Sequence, residues 1–199
     1  MTMTIEQGWP RTSRAVIGAV LTLVVLAAGV SWFAFRATIS DVIFGPSLTT
    51  PIQDRFGISL PSTRAGQAFT IGAMSVCLSS PGVATIDRVT ATGATQGLSV
   101  AAFAVRPLSP NLYGAEPVTL AASGFGGGLQ VRVLCTGNPG GEELAVQLDK
   151  TRSLDVRQSG LEVSWHSGRR SGTFTIPAHI VLCQGANQDT PRCDPMAQP

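Results

Sequence analysis

Cys77, Cys135, Cys183 and Cys193 are the residues whose chemistry is easiest to state, because a thiol either pairs with another, holds a metal or acts as a nucleophile. Their spacings of 58, 48 and 10 residues contain no C-x-x-C pair, and His166 and His179 stand apart from them. A zinc site needs ligands grouped in such pairs, so no metal site is expected, and an even set reads as two disulfides. Four cysteines allow three connectivities. Closeness along the chain favours Cys183–Cys193, which leaves Cys77–Cys135; a Cys77–Cys183 peptide in a non-reducing map would overturn that pairing.

The remaining reactive side chains are sparse. A catalytic His166 or His179 would need an acid, Ser or Cys brought close by folding, and as lone histidines both are expected at the surface or satisfied in the core. Asp87, Glu142, Glu143, Asp149, Asp155 and Glu162 are scattered, with no D-x-D-x-D-G calcium loop, and are expected on solvated strand faces and turns. The run GFGGG, Gly124 to Gly128, lacks the Lys-Ser/Thr ending of a phosphate loop and is followed by a strand pattern rather than a helix, so a turn between strands is expected. Arg169 and Arg170 in SGRRSG offer contact to an acidic partner or to lipid headgroups, although paired arginines at a turn also serve solubility. Lys150, the single lysine, carries no evident role.

The elements that must position these residues are β-strands. Runs at 68–79, 85–92, 98–106, 118–122, 129–136, 144–150, 161–167 and 172–183 are rich in β-formers and separated by Gly, Pro and Asn at the spacing of sandwiches and barrels. Alternation is clean in three of them: Leu129, Val131, Val133 and Cys135; Leu144, Val146 and Leu148; Leu161, Val163 and Trp165, each set facing a core. Trp165 is then a core anchor. Phe103 and Val105 fall out of phase with Leu98 and Val100, which predicts a bulge or a central strand buried on both faces. Ser167 to Gly172 is short enough for a hairpin between neighbouring antiparallel strands, its arginines resisting edge-to-edge pairing.

Ahead of the strands, residues 15–35 read AVIGAVLTLVVLAAGVSWFAF without a charge. These 21 residues, at about 1.5 Å each, match the roughly 30 Å of bilayer hydrocarbon. Trp32, Phe33 and Phe35 mark an interface, and Arg11 and Arg14 bias the N-terminus slightly toward the cytoplasm. All four cysteines then lie beyond the span, on the oxidising side. A cleaved signal peptide is the rival: Ala27-Ala28-Gly29 imitates a cleavage site, but the apolar core is too long and ends in bulky aromatics. No Cys near the end of the span permits lipoprotein attachment there. The division expected is 1–14 cytoplasmic, 15–35 a signal-anchor transmembrane helix, 36–66 a proline-spaced stalk with packing of Ile52 to Leu60 on the domain edge left open, 67–183 a β-sandwich domain, and 184–199 a polar tail.

Composition narrows function by exclusion. Over residues 60–199, ten Lys and Arg stand against nine Asp and Glu, too balanced for binding to nucleic acid by bulk charge. The phrases FTIGAMSVCLSSPG, VTATGATQGLSVAAFAVRP and FTIPAHIVLC resemble exported and membrane-anchored β-sandwich proteins of high-GC Gram-positive bacteria that lack an assigned function. The resemblance implies an immunoglobulin-like fold and a cell-envelope location, and carries no catalytic residues or cofactor with it. The function expected is that of a non-enzymatic, single-pass envelope module, binding a protein, peptide or glycan or serving a structural role there. Two alternatives stay open: an accessory subunit whose helix pairs through Gly18, Ala19, Ala27, Ala28 and Gly29, and an envelope enzyme built around His166 or His179.

Overall fold

In the computed structural model the chain divides into Met1–Val42 and Ile43–Pro199. The structure describes residues 45–52, 54–108, 114–136, 140–185 and 193–196, all in the second unit, so the expected span at 15–35 lies outside the described residues. Twelve strands and no helix occur among them. One sheet runs β1 (Leu48–Thr49), β3 (Ala68–Leu78), β8 (Glu142–Lys150), β5 (Leu98–Pro107), with β6 (Ala115–Glu116) also on β3. A second runs β11 (Arg170–Ile176), β10 (Gly160–Ser167), β4 (Ala84–Thr92), β7 (Gln130–Val131), and a third joins β2 (Phe56–Leu60), β12 (Ala178–Leu182) and β9 (Val156–Gln158). Strand pairing is antiparallel throughout except between β2 and β12.

Period-2 patterning explains the long strands. Leu144, Val146 and Leu148 of β8 and Leu161, Val163 and Trp165 of β10 turn the same way on their pleats and enter one core with Phe69, Ile71, Ile86 and Ile180. Out-of-phase β5 is accommodated by a bulge: Val100 pairs with Leu148 and Ala102 with Gln147, which leaves Ala101 over. It is not a central strand among the described residues, where β8 alone pairs with it in the sheet order. The hairpin closes with Ser167 opposite Arg170, Gly168 taking φ 57° in the turn.

Four expectations need correction. The stalk predicted over 36–66 includes β1 and β2; Leu48 is buried and Phe56, Ile58 and Leu60 pack on the core, so the domain begins well before residue 67. The run 118–122 forms a turn, with Ser123 N–H donating to Thr119 O at 3.1 Å, because it crosses the outside of a sheet and finds no strand to pair with among the described residues. In 129–136 only Val131 is fully covered, while Leu129 and Val133 remain 38% and 40% exposed: β7 is a two-residue edge, and alternation needs a facing layer to be buried. The run 172–183 breaks at Pro177, whose missing N–H ends the ladder, and its halves join different sheets.

Cys77 is bonded to Cys135 with Cα atoms 4.9 Å apart, and Cys183 to Cys193 at 5.9 Å. Disulfides of this kind belong to an oxidising, extracytoplasmic compartment. The first joins β3 to the segment leaving β7; the second ties residues 193–196 to the end of β12.

Candidate functional surface

β3 and β10 end, and β4 and β8 begin, at one pole of the domain, where the described chain also starts. Gly45 lies against Ser167, the Pro46 ring sits against Gly82, and Ser47 Oγ is 2.8 Å from Ser79 Oγ. Ser167 Oγ donates to Val83 O at 2.6 Å, binding the β10–β11 tip to the 79–83 turn. Arg169 is exposed at that tip and Arg170 is half-buried beside it. Arg132, exposed just beyond β7, sits on the same pole with its Nη2 donating to Gln130 Oε1 at 2.6 Å.

The carboxylates of this pole are withdrawn from solvent, contrary to the expectation that Glu142 and Glu143 lie on wet faces. Glu142 is 8% exposed and accepts Arg132 N–H at 2.7 Å. Glu143, wholly buried, accepts Arg106 Nε and Nη2 at 2.8 Å each on Oε2, and Ala73 N–H at 3.2 Å on Oε1. Ala73 stands in the bulge where β3 slips on β8, at φ 61°, so the carboxylate closes a gap that the ladder leaves. The Arg106 guanidinium lies 4.1 Å from the centre of the Phe125 ring, a cation–π contact.

Phe125 gives the glycine-rich run its role. It is buried with Leu120, Ala104 and Ala145 on the outer face of the β5–β8 sheet, and Leu120 N–H donates to Gln147 Oε1 at 3.0 Å. Gly128 presses on β5: its carbonyl accepts Val105 N–H at 2.6 Å, and a Cβ there would stand 2.9 Å from Val105 O. The turn expected between strands is therefore a packed cover over a sheet face. A phenylalanine among glycines was the available signal, and Arg106 with Glu143, adjacent across the β5–β8 register, was the part sequence reasoning missed.

His166 and Asp87 meet at 2.7 Å on the outer face of the β10–β4 pair. The β4 bulge brings them together: Ser164 pairs with Arg88 and Trp165 with Ile86, so Asp87 is the extra residue and its side chain follows Arg88 outward. Both side chains are about half exposed, on an open sheet face beside Thr85 and Ser171. His179 lies half-buried on β12, opposite Gly57, so folding does not join the two histidines to one site. Trp165 is 5% exposed in the core.

Lys150 ends the inward face of β8 with no exposed surface. Its ammonium donates to Thr63 Oγ1 at 2.8 Å, Thr63 O at 3.2 Å and Leu182 O at 3.4 Å, so all three protons have acceptors. Burial lowers its pKa from the ordinary value, and the Asp155 charge offsets part of that. Beyond Thr63 an open depression of about 460 Å³ is lined by Ser62, Arg64, Ala65, Ser153 and Gln184. Asp155 has a carboxylate oxygen within 4.8 Å of the Cys183 and Cys193 sulfurs, but those sulfurs are bonded to each other and the carboxylate accepts Gln184 N–H at 2.7 Å.

No family model and no curated protein matches the chain. The crystal structure of the GAE domain of GGA2p from Saccharomyces cerevisiae is similar over 69% of this chain and 99% of that chain, at 9% identity and a TM-score of 0.24, too slight a likeness to bear on fold or activity.

Proposed function

We propose that this chain is a noncatalytic single-pass membrane protein, its immunoglobulin-like β-sandwich held outside the cell membrane by a helix over residues 15–35. The N-terminus is cytoplasmic, and the sandwich presents an open strand edge and its loops to an envelope protein, peptide or glycan. The observation that carries this is the succession of an uncharged 21-residue apolar stretch and a domain closed by two disulfides. Strands of all three sheets packed around one main core with Trp165 inside support the sandwich.

Binding is favoured over catalysis by where the reactive groups lie. Lys150, Glu142 and Glu143 are committed to internal hydrogen bonds, and the His166–Asp87 pair stands on an open face rather than in a cleft. Among the described residues β11 pairs with β10 on one side only, leaving its other edge for an extended segment to add as a strand.

Photo-crosslinkers at Thr173 and Thr175 on β11, and separately at Gly18 and Gly29 in the apolar stretch, test this in intact cells. A discrete adduct from the β11 positions, accessible to external protease, is expected. Adducts from Gly18 and Gly29 alone replace this reading with that of an accessory subunit, and protection of the domain from external protease overturns the topology.

A further inference from the structure

We propose that the pole carrying Gly45 is a lipid-facing surface, on which Arg132, Arg169 and Arg170 engage the anionic headgroups of the membrane in which the chain is anchored. This rests on the anchored reading above and adds an orientation and a ligand class to it.

Chain length supplies the first argument. Only residues 36–44 separate Phe35 from Gly45, a reach of no more than about 35 Å when fully extended. β3, whose Leu78 end lies at this pole and whose Ala68 end points away, is itself about 35 Å long. Turning the opposite pole to the bilayer would use nearly the whole reach of those nine residues, whereas bringing the Gly45 pole to it would use little of it. That pole therefore has the higher effective concentration at the headgroups.

Charge placement supplies the second. Arg132 follows β7 and Arg170 begins β11, at opposite edges of a four-strand sheet, so three strand spacings of about 4.8 Å set the two rows roughly 14 Å apart. Over that width Glu142 and Glu143 are buried, and Asp87, about half exposed, is engaged by His166. The balance of exposed charge is thus cationic although the domain as a whole is nearly neutral. Val83, 38% exposed and held to the tip by Ser167, adds an apolar contact between the two arginine rows.

The full chain in nanodiscs of phosphatidylglycerol and phosphatidylcholine, or of phosphatidylcholine alone, can be footprinted with an arginine-specific dicarbonyl and read by peptide mass spectrometry. Arg132 and Arg169 are expected to react roughly five-fold more slowly in the anionic discs, equivalent to about 1 kcal/mol per arginine. Arg64 and Arg152, exposed at the far pole, act as internal controls and should not change. The R169Q/R170Q variant should lose most of the protection at Arg132. Equal rates in the two lipids overturn the proposal, as does equal protection in phosphatidylcholine discs when soluble polyphosphate is added, which would make the pole a general polyanion site. Carbonate extraction separates the two layers of argument: release from vesicles defeats the anchor and this proposal together, while retention with equal footprints defeats the lipid-facing surface alone.

Discussion

Glu143→Ala should be among the most damaging single changes to the domain that leave its hydrophobic core intact. The carboxylate is wholly buried and takes two guanidinium hydrogen bonds at 2.8 Å and one backbone N–H at 3.2 Å. Breaking a buried ion pair from one side costs about 3–5 kcal/mol, because a charge stays behind without its partner. Arg106 is 26% exposed and can turn toward water, which lowers the expectation to roughly 2–4 kcal/mol. Removing both charges together, as in R106M/E143L, should cost less than E143A alone, since no orphaned charge remains. The measurement is urea unfolding of the 43–199 unit with disulfides intact, followed by Trp165, the single tryptophan in that segment. A loss of 3 kcal/mol would lower the melting temperature by about 6–12 °C. Additive single costs in the double variant, or an E143A penalty under about 0.5 kcal/mol, would refute the reasoning by showing that the pair is uncoupled.

Lys150 gives a pH dependence with a definite sign. Its folded pKa lies below the 10.5 of the unfolded chain, so between those two values the unfolded state holds more protons, and stability should climb as pH rises toward 10.5 and stay flat below the folded value. In Lys150→Met the climb should vanish from urea midpoints taken between pH 7 and 10; an unchanged slope assigns it to other groups. Removing Cys77–Cys135, which closes 58 residues, should cost about 4 kcal/mol, against about 3 kcal/mol for Cys183–Cys193 with 10, so C77S/C135S should unfold at lower urea than C183S/C193S. The opposite order would show native contacts outweighing loop closure. Trp165→Ala should lose about 3–5 kcal/mol of stability, measured by calorimetry, and a cost near zero would show that the indole is not an anchor.

The amino-acid sequence alone determined the all-β class and the position of the longer strands. Backbone pleating imposes a period of two on any half-buried strand, and Leu144–Val146–Leu148 and Leu161–Val163–Trp165 display it without reference to partners. The β10–β11 hairpin was equally legible, because a tight turn depends on adjacent residues such as Gly168. Strands of two to five residues, among them β1, β2, β6 and β9, carry too few side chains to show a period and exist because a neighbour offers a ladder.

The fate of the charges was a matter for the tertiary structure. Whether a carboxylate on an alternating strand faces water or is buried depends on what covers it. Glu143 is buried because Arg106 lies across the register and residues 115–128 fold over the sheet, and neither circumstance is written near position 143. Lys150 finds acceptors 87 and 32 residues away in Thr63 and Leu182, and Asp87 reaches His166 because a strand slips by one residue. Apolar periodicity is a local consequence of backbone geometry. The pairing of buried charge, and the gathering of Arg132, Arg169 and Arg170 at one pole, are set by contacts between distant segments that only folding brings together.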